Sequence, residues 1–178
     1  IFLKLFIINS KFRRVITENK NAFILIVCKL VSPGLFVITY LQKFIEQTNW
    51  NTKIEKKTGK KINSSKVLIL GVAYKKNIND DRESPAYKLI EILIKNYNCK
   101  VSFFDPFIKK LNYTNSRNFN NNSLILDDKT LKTFDYGIIV TDHDSVNYKR
   151  IKKNVKILFD TRNVKNLDGK NIIKINFC

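Results

Sequence analysis

The sequence predicts an α/β fold built on a parallel, doubly wound sheet, and three observations carry that expectation. From Lys66 onward, short apolar runs (KVLIL, VSFF, YGIIV, KILF) alternate with stretches of helical character. Strands interleaved with helices are the pattern of βαβ units. Most of these runs end in a polar cluster, as in GVAYKK, FFDP, VTDHD and FDTRN. Hydrophobic residues make up 44% of the 178, which suffices for one domain with a real core and part of another.

The elements follow in order. Ser32-Pro33 is a helix start, because Ser caps and Pro suits the first turn. Leu35, Phe36, Val37, Ile38, Leu41, Phe44 and Ile45 then predict a helix to about Thr48. The basic, polar stretch NTKIEKKTGKKINSS reads as a linker or exposed turn. KVLILG is a buried strand. Ser84-Pro85 opens a second helix whose apolar face holds Ala86, Leu89, Ile90, Leu93 and Ile94. KVSFFD (100–105) is a strand, and the Asn-rich stretch after it is irregular. DDKTLKTF (127–134) is a short helix with acids in its first turn, where they favour the helix dipole. DYGIIVTD (135–142) is a strand, SVNYKRIKK a short helix, VKILFDTRN (155–163) a strand and NIIKIN (171–176) a last strand.

Composition narrows the function. The net charge of +18 invites an acidic partner, but its lysines are spread along the chain and accompanied by many Asn and Ile, which suits a solvated surface. A nucleic-acid interface would cluster cations with exposed aromatics, whereas Phe103, Phe134 and Phe159 fall at core positions. Cys28, Cys99 and Cys178 have neither metal-like nor paired spacing, and an odd, scattered set suits a reducing cytoplasm. One histidine, His143, excludes a His-rich metal site. Residues 23–41 are strongly apolar, but Lys29 and Pro33 interrupt them, and Ala22–Cys28 falls far short of the ~20 residues of a membrane span. A chain with no Met reads as a partial one.

In a doubly wound sheet, ligands bind beyond the carboxyl ends of the strands, at the switch in strand order. The residues that follow the four strands are Gly71, Tyr74, Lys75, Lys76 and Arg82; Asp105; Thr141, Asp142 and His143; and Asp160, Thr161 and Arg162. Lys75 and Arg162 suit phosphate, one as a point charge and the other as a bidentate fork. None of the five glycines forms GxGxxG, so backbone capture of a dinucleotide is lacking and side-chain cations must substitute.

The motifs GVAYKKNINDDRESPAYKLIEIL, VSFFDP, FDYGIIVTDHDSVNY and ILFDTRN stand in order over 66–163. Together they resemble the C-terminal UDP-binding domain of the UDP-glucose/GDP-mannose dehydrogenase family, with the flavour of the bacterial UDP-N-acetyl-hexosamine 6-dehydrogenases. The resemblance implies a Rossmann-like domain over 65–178. It makes 32–64 the end of a central helical dimerisation region with a linker, and leaves 1–31 unassigned. It implies that Tyr74 and Lys75 contact a UDP-sugar, that Arg162 contacts its nucleotide, and that Arg82 reaches NAD held mainly by another domain. Asp105, Asp142 and Asp160 fit motif positions and read as loop-shaping rather than catalytic residues, and His143 reads as orienting a strand-end loop rather than as an acid–base group. The family oxidises a sugar C6 alcohol to a carboxylate with two NAD and a cysteine nucleophile in a Gly-rich loop. Neither that loop nor GxGxxG is present here, and Cys28 sits in an apolar context that suits a buried small hydrophobe. The expectation is therefore a substrate-binding part, inactive alone, of a cytoplasmic enzyme that is a homodimer or homo-oligomer, with no nucleic acid and no membrane partner. A stand-alone UDP-sugar-binding module and a basic nucleic-acid-binding protein are the rival readings.

Overall fold

The computed structural model describes residues 62–111 and 119–174, with Glu55 and Gly59. The expected remnant 1–31, the helix from Ser32, the apolar stretch 23–41, Cys28, most of the polar linker, Cys178 and the end of the 171–176 strand lie outside the described residues.

Five strands form one sheet: β1 Lys66–Leu70, β2 Lys100–Phe104, β3 Tyr136–Ile139, β4 Ile157–Asp160 and β5 Ile172–Lys174. Their spatial order is β2-β1-β3-β4-β5 and every pairing is parallel. The helices are α1 Pro85–Tyr97, α2 Asp128–Leu131 and α3 Tyr148–Asn154. The apolar run at β1 is continuous because both of its faces are covered. Val67 and Ile69 join the cluster that holds Leu89, Ile90 and Leu93 of α1; Leu68 and Leu70 join the opposite cluster with Leu131 of α2 and Ile151 of α3. This period of two inside an unbroken hydrophobic run makes the sheet doubly wound. Each fully buried Leu, Ile or Phe stabilises the fold by roughly 1.5–3 kcal/mol.

Capping sets the helix starts. The Ser84 hydroxyl accepts from the Ala86 N–H, and Pro85 occupies the first turn, as expected. Asp127 accepts from the Thr130 N–H at 2.6 Å and caps α2. The last helix starts at Tyr148 rather than near Ser145, because the Asn147 side chain takes the cap by accepting from the Arg150 N–H. α1 ends where Asn98 turns left-handed (φ 50°) and gives its N–H to the Ile94 carbonyl.

The strands are shorter than the apolar runs suggest, for a local reason. At each carboxyl end the chain leaves the ladder and its polar groups find loop partners instead. Asp105 donates its N–H to the Ser123 hydroxyl, and Thr161 donates its hydroxyl to the Ile139 carbonyl. The structured body also begins earlier than residue 65: Ile62 is only 2% exposed in the core, and the Ser64 N–H reaches the Tyr97 carbonyl. The Asn-rich stretch is irregular, touching the sheet through Val101–Phe119 and folding on itself through Lys110–Asn122.

The chain runs from β1 to β2 on one side and then crosses to β3 on the other. The strand order therefore reverses between β1 and β3, and the crevice beyond their carboxyl ends is the position where such sheets bind ligands.

Candidate functional site

Gly71 begins the loop after β1, and its lack of a side chain is required. Its φ is +79°, and a Cβ there would lie 2.1 Å from the Thr141 carbonyl oxygen. The loops after β1 and β3 thus touch backbone to backbone at the switch point. The Thr141 hydroxyl completes the contact by donating to the Ala73 carbonyl at 2.7 Å.

Beneath this contact the Asp105 carboxylate, fully buried, gathers three loops. One oxygen accepts the N–H groups of Val72 and Ala73 at 2.7 and 3.0 Å. The other accepts those of Phe107 and Ile108 at 2.8 and 3.1 Å. His143 Nε2 lies 3.1 Å from the first oxygen, with both side chains 0% exposed. Burial by itself would raise the Asp105 pKa, but the bond from His143 and those from Phe107, Val72 and Ile108 outweigh it and hold the carboxyl at about 2. An ionised Asp105 accepts, so Nε2 donates. His143 Nδ1 in turn accepts the Asn77 N–H at 3.0 Å, which defines the tautomer. The His143 N–H is given to the Tyr148 hydroxyl, whose own pKa burial pushes up.

Above this layer lies an exposed row of charges. Lys76 pairs with Asp144 at 2.6 Å and with Asp142 at 3.7 Å; Asp142 also lies 3.5 Å from Arg162 Nε. The hydrogen bond to Asp144 raises the Lys76 pKa, and the bonds from Lys76 and Asn77 lower that of Asp144. Ion pairs therefore join the loops after β1, β3 and β4. Arg162 is aimed by its own turn, in which Asp160 accepts the N–H groups of Arg162 and Val164. Lys75 differs from its neighbour: it is exposed, its ammonium lies 5.3 Å from the centre of the Tyr74 ring, and among the described residues no carboxylate pairs with it. Arg82 folds back on Asp80 through two side-chain hydrogen bonds of 3.0 and 2.8 Å, while its side chain stays 86% exposed. Bonding to Arg82 holds the Asp80 carboxyl at about 2.

The structure thus places Tyr74, Lys75 and Arg162 on one edge of the sheet and Arg82 further along the same loop, held by Asp80. A groove of about 360 Å³ opens beside them, between the β3–α3 and β4–β5 loops, lined by Lys76, Asp142, Tyr148, Val164 and Leu167 among others. Tyr74, Lys75 and Arg162 are not part of its lining. Two contributors escaped the sequence reading. Asn77, which bonds both His143 and Asp144, and Tyr148, which receives the His143 N–H, carry no signal in sequence because their partners lie in other loops. Among the described residues no group of three or more His, Cys, Asp or Glu could hold a metal, and no helix is long and apolar enough to cross a membrane. Cys99 is buried, with burial pushing its thiol up to about 12; that favours the unreactive form.

Fold and edge together define the class: a Rossmann-like, parallel α/β domain with a cationic edge at its topological switch point. Residues 68–167 match the UDP binding domain of the UDP-glucose/GDP-mannose dehydrogenase family, and the chain belongs to that family. It is 34% identical over 113 residues to a UDP-N-acetyl-D-mannosamine dehydrogenase of Methanococcus maripaludis, covering 58% of this chain and 24% of the relative. It is 35% identical over 103 residues to the Pyrococcus horikoshii enzyme of the same name, covering 55% of this chain and 22% of the relative. The chain spans about a quarter of the length of these curated relatives. The solved structure of a UDP-D-ManNAc dehydrogenase from Pyrococcus horikoshii superposes with a TM-score of 0.53 at 24% identity, covering 81% of this chain and 33% of that one. That likeness speaks for the fold alone.

Proposed function

We propose that this chain is the UDP-sugar-binding part of an NAD-dependent UDP-sugar 6-dehydrogenase, an enzyme that oxidises the C6 alcohol of a UDP-hexose or UDP-N-acetylhexosamine to the carboxylate. The observation that carries the reading is Lys75. It is an exposed ammonium without an acidic partner among the described residues, beside Tyr74, on the switch-point edge of a domain matched to the family's UDP-binding part. Lys75 supplies charge to the diphosphate, Tyr74 an aromatic face to the nucleotide-sugar, and Arg162 a second cation from the loop after β4. Asp142 shares its charge between Lys76 and Arg162, which keeps those two side chains near the edge without neutralising Lys75.

NAD, when bound, accepts the hydride from C6. The residues here fit only a part of its seat: Arg82 offers an exposed guanidinium, while none of the chain's five glycines forms the phosphate-cradling motif. Arg82 would reach the cofactor from this side, with its main contacts on another domain. The enzyme acts in the cytoplasm as a homodimer or homo-oligomer, a setting that the scattered, odd set of cysteines suits.

Calorimetric titration of the 178-residue chain with UDP, with NAD as comparison, tests the reading. Saturable UDP binding that survives ~0.2 M salt, where long-range charge attraction is screened, is expected. Lys75→Ala should weaken it about tenfold or more and leave the melting temperature in place, since Lys75 is exposed. A folded parent chain that ignores UDP, or equal UDP affinity in Lys75→Ala, overturns it.

A further inference from the structure

We infer that His143 is a positioning residue for the nucleotide edge: by accepting the Asn77 N–H at Nδ1, it holds the turn that presents Tyr74 and Lys75. The inference rests on the UDP-sugar reading of that edge and deepens it.

The loop carrying Tyr74 and Lys75 is anchored at its start by Asp105 and Thr141, and through Lys76 by Asp142 and Asp144. Its base is closed by the Tyr74 N–H on the Asp80 carbonyl at 2.7 Å. Its middle is held at Asn77, two residues past Lys75, where the backbone is left-handed with φ 59°. That conformation is uncommon for a residue with a side chain and persists where the surroundings determine it. Three bonds do so. The Asn77 N–H goes to His143 Nδ1 at 3.0 Å, the Asn77 amide donates to Asp144 at 2.6 Å, and the Asp144 N–H returns to the Asn77 side-chain oxygen at 3.0 Å. The Asp144 contacts are exposed, whereas His143 is 1% exposed and its bond to Asn77 is part-buried.

Imidazole suits the task because one rigid plane carries a donor and an acceptor. Nε2 donates to Asp105, an anion already accepting four backbone N–H groups, and this leaves Nδ1 bare for Asn77. The Phe107 ring, tilted by 47° with its centre 5.2 Å away, flanks the imidazole. A buried acid that fastens the start of the β1 loop and the loop after β2 is thereby linked, through His143, to the turn at Asn77 as well.

Two substitutions separate the two arms of the ring. His143→Gln places an amide donor near the Nε2 position and keeps a partner for Asp105, but removes the acceptor for Asn77. His143→Asn places an oxygen near Nδ1 and keeps that acceptor. UDP affinity should fall about tenfold or more in His143→Gln, with a melting temperature near the parent's, and should stay closer to the parent's in His143→Asn. Nitrogen-15 spectra give a second readout, unambiguous because the chain has one histidine. They should show Nε2 protonated and Nδ1 bare, with the Asn77 amide slow to exchange in the parent and fast in His143→Gln. A protonated Nδ1 in the parent, or His143→Gln that binds UDP as the parent does, overturns the inference while leaving the UDP reading intact. If the parent ignores UDP, that reading fails and the amide exchange decides: loss of Asn77 protection in His143→Gln supports the positioning role, and equal protection overturns it.

Discussion

The loops after β1 and β4 each carry cations to the same edge, yet they are built in opposite ways. The β4 loop is shaped from within. Asp160 caps N–H groups two and four residues ahead, and longer bonds run from Thr161 to the Ile139 carbonyl and from Lys152 to the Asp168 carbonyl. The β1 loop is shaped from outside. Its N–H groups at Val72, Ala73 and Asn77 all go to side chains more than thirty residues away, Asp105 and His143. A loop that closes on itself can place its cation before the rest of the domain has formed. A loop that depends on distant side chains is correct only when β1, β2 and β3 are already assembled. The edge thus has one cation, Arg162, set locally and another, Lys75, set by tertiary structure.

The sharpest way to break the comparison is at Gly71, where both the left-handed backbone and the contact with Thr141 exclude a side chain. Gly71→Ala should cost on the order of 4 kcal/mol of unfolding free energy, since strain and overpacking add; urea denaturation measures it. Next comes Asp105→Asn, which turns an amide donor toward buried donors and should cost about 3 kcal/mol. The same residue predicts a pH dependence. Its folded pKa of about 2 lies below the usual 3.8, so its contribution is complete above about pH 4 and is lost as pH falls towards 2. That contribution is about 2 kcal/mol, and the acid limb of the stability–pH curve should flatten in Asp105→Asn. Asp160→Ala is the smallest, at about 1–2 kcal/mol for local bonds, with a modest loss of UDP affinity as Arg162 loosens. Equal costs for Asp160→Ala and Asp105→Asn would erase the distinction between the two loops.

Much of this architecture was legible one segment at a time. Ser84-Pro85 announces α1, the acids of DDKTLKTF mark the start of a short helix, and the run from Val67 to Leu70 shows no polar alternation because both its faces are covered. The positions of Tyr74, Lys75, Arg82 and Arg162 after strands were equally readable, since a parallel sheet sends every carboxyl end to one edge. The bonds between loops were not. Nothing in GVAYKKNIND says that Asn77 meets His143, or that Lys76 has an acidic partner while Lys75 has none among the described residues.

The sequence by itself determined the elements, the parallel class of their sheet and the edge where a ligand belongs, because hydrophobic period, caps and strand-end polarity act over a few residues. Only the tertiary structure decided which of two adjacent lysines stands without an acidic partner among the described residues and which buried pair holds the loop beneath it. Those outcomes depend on groups separated by 32 to 68 residues, which meet only once β1, β2 and β3 are packed side by side.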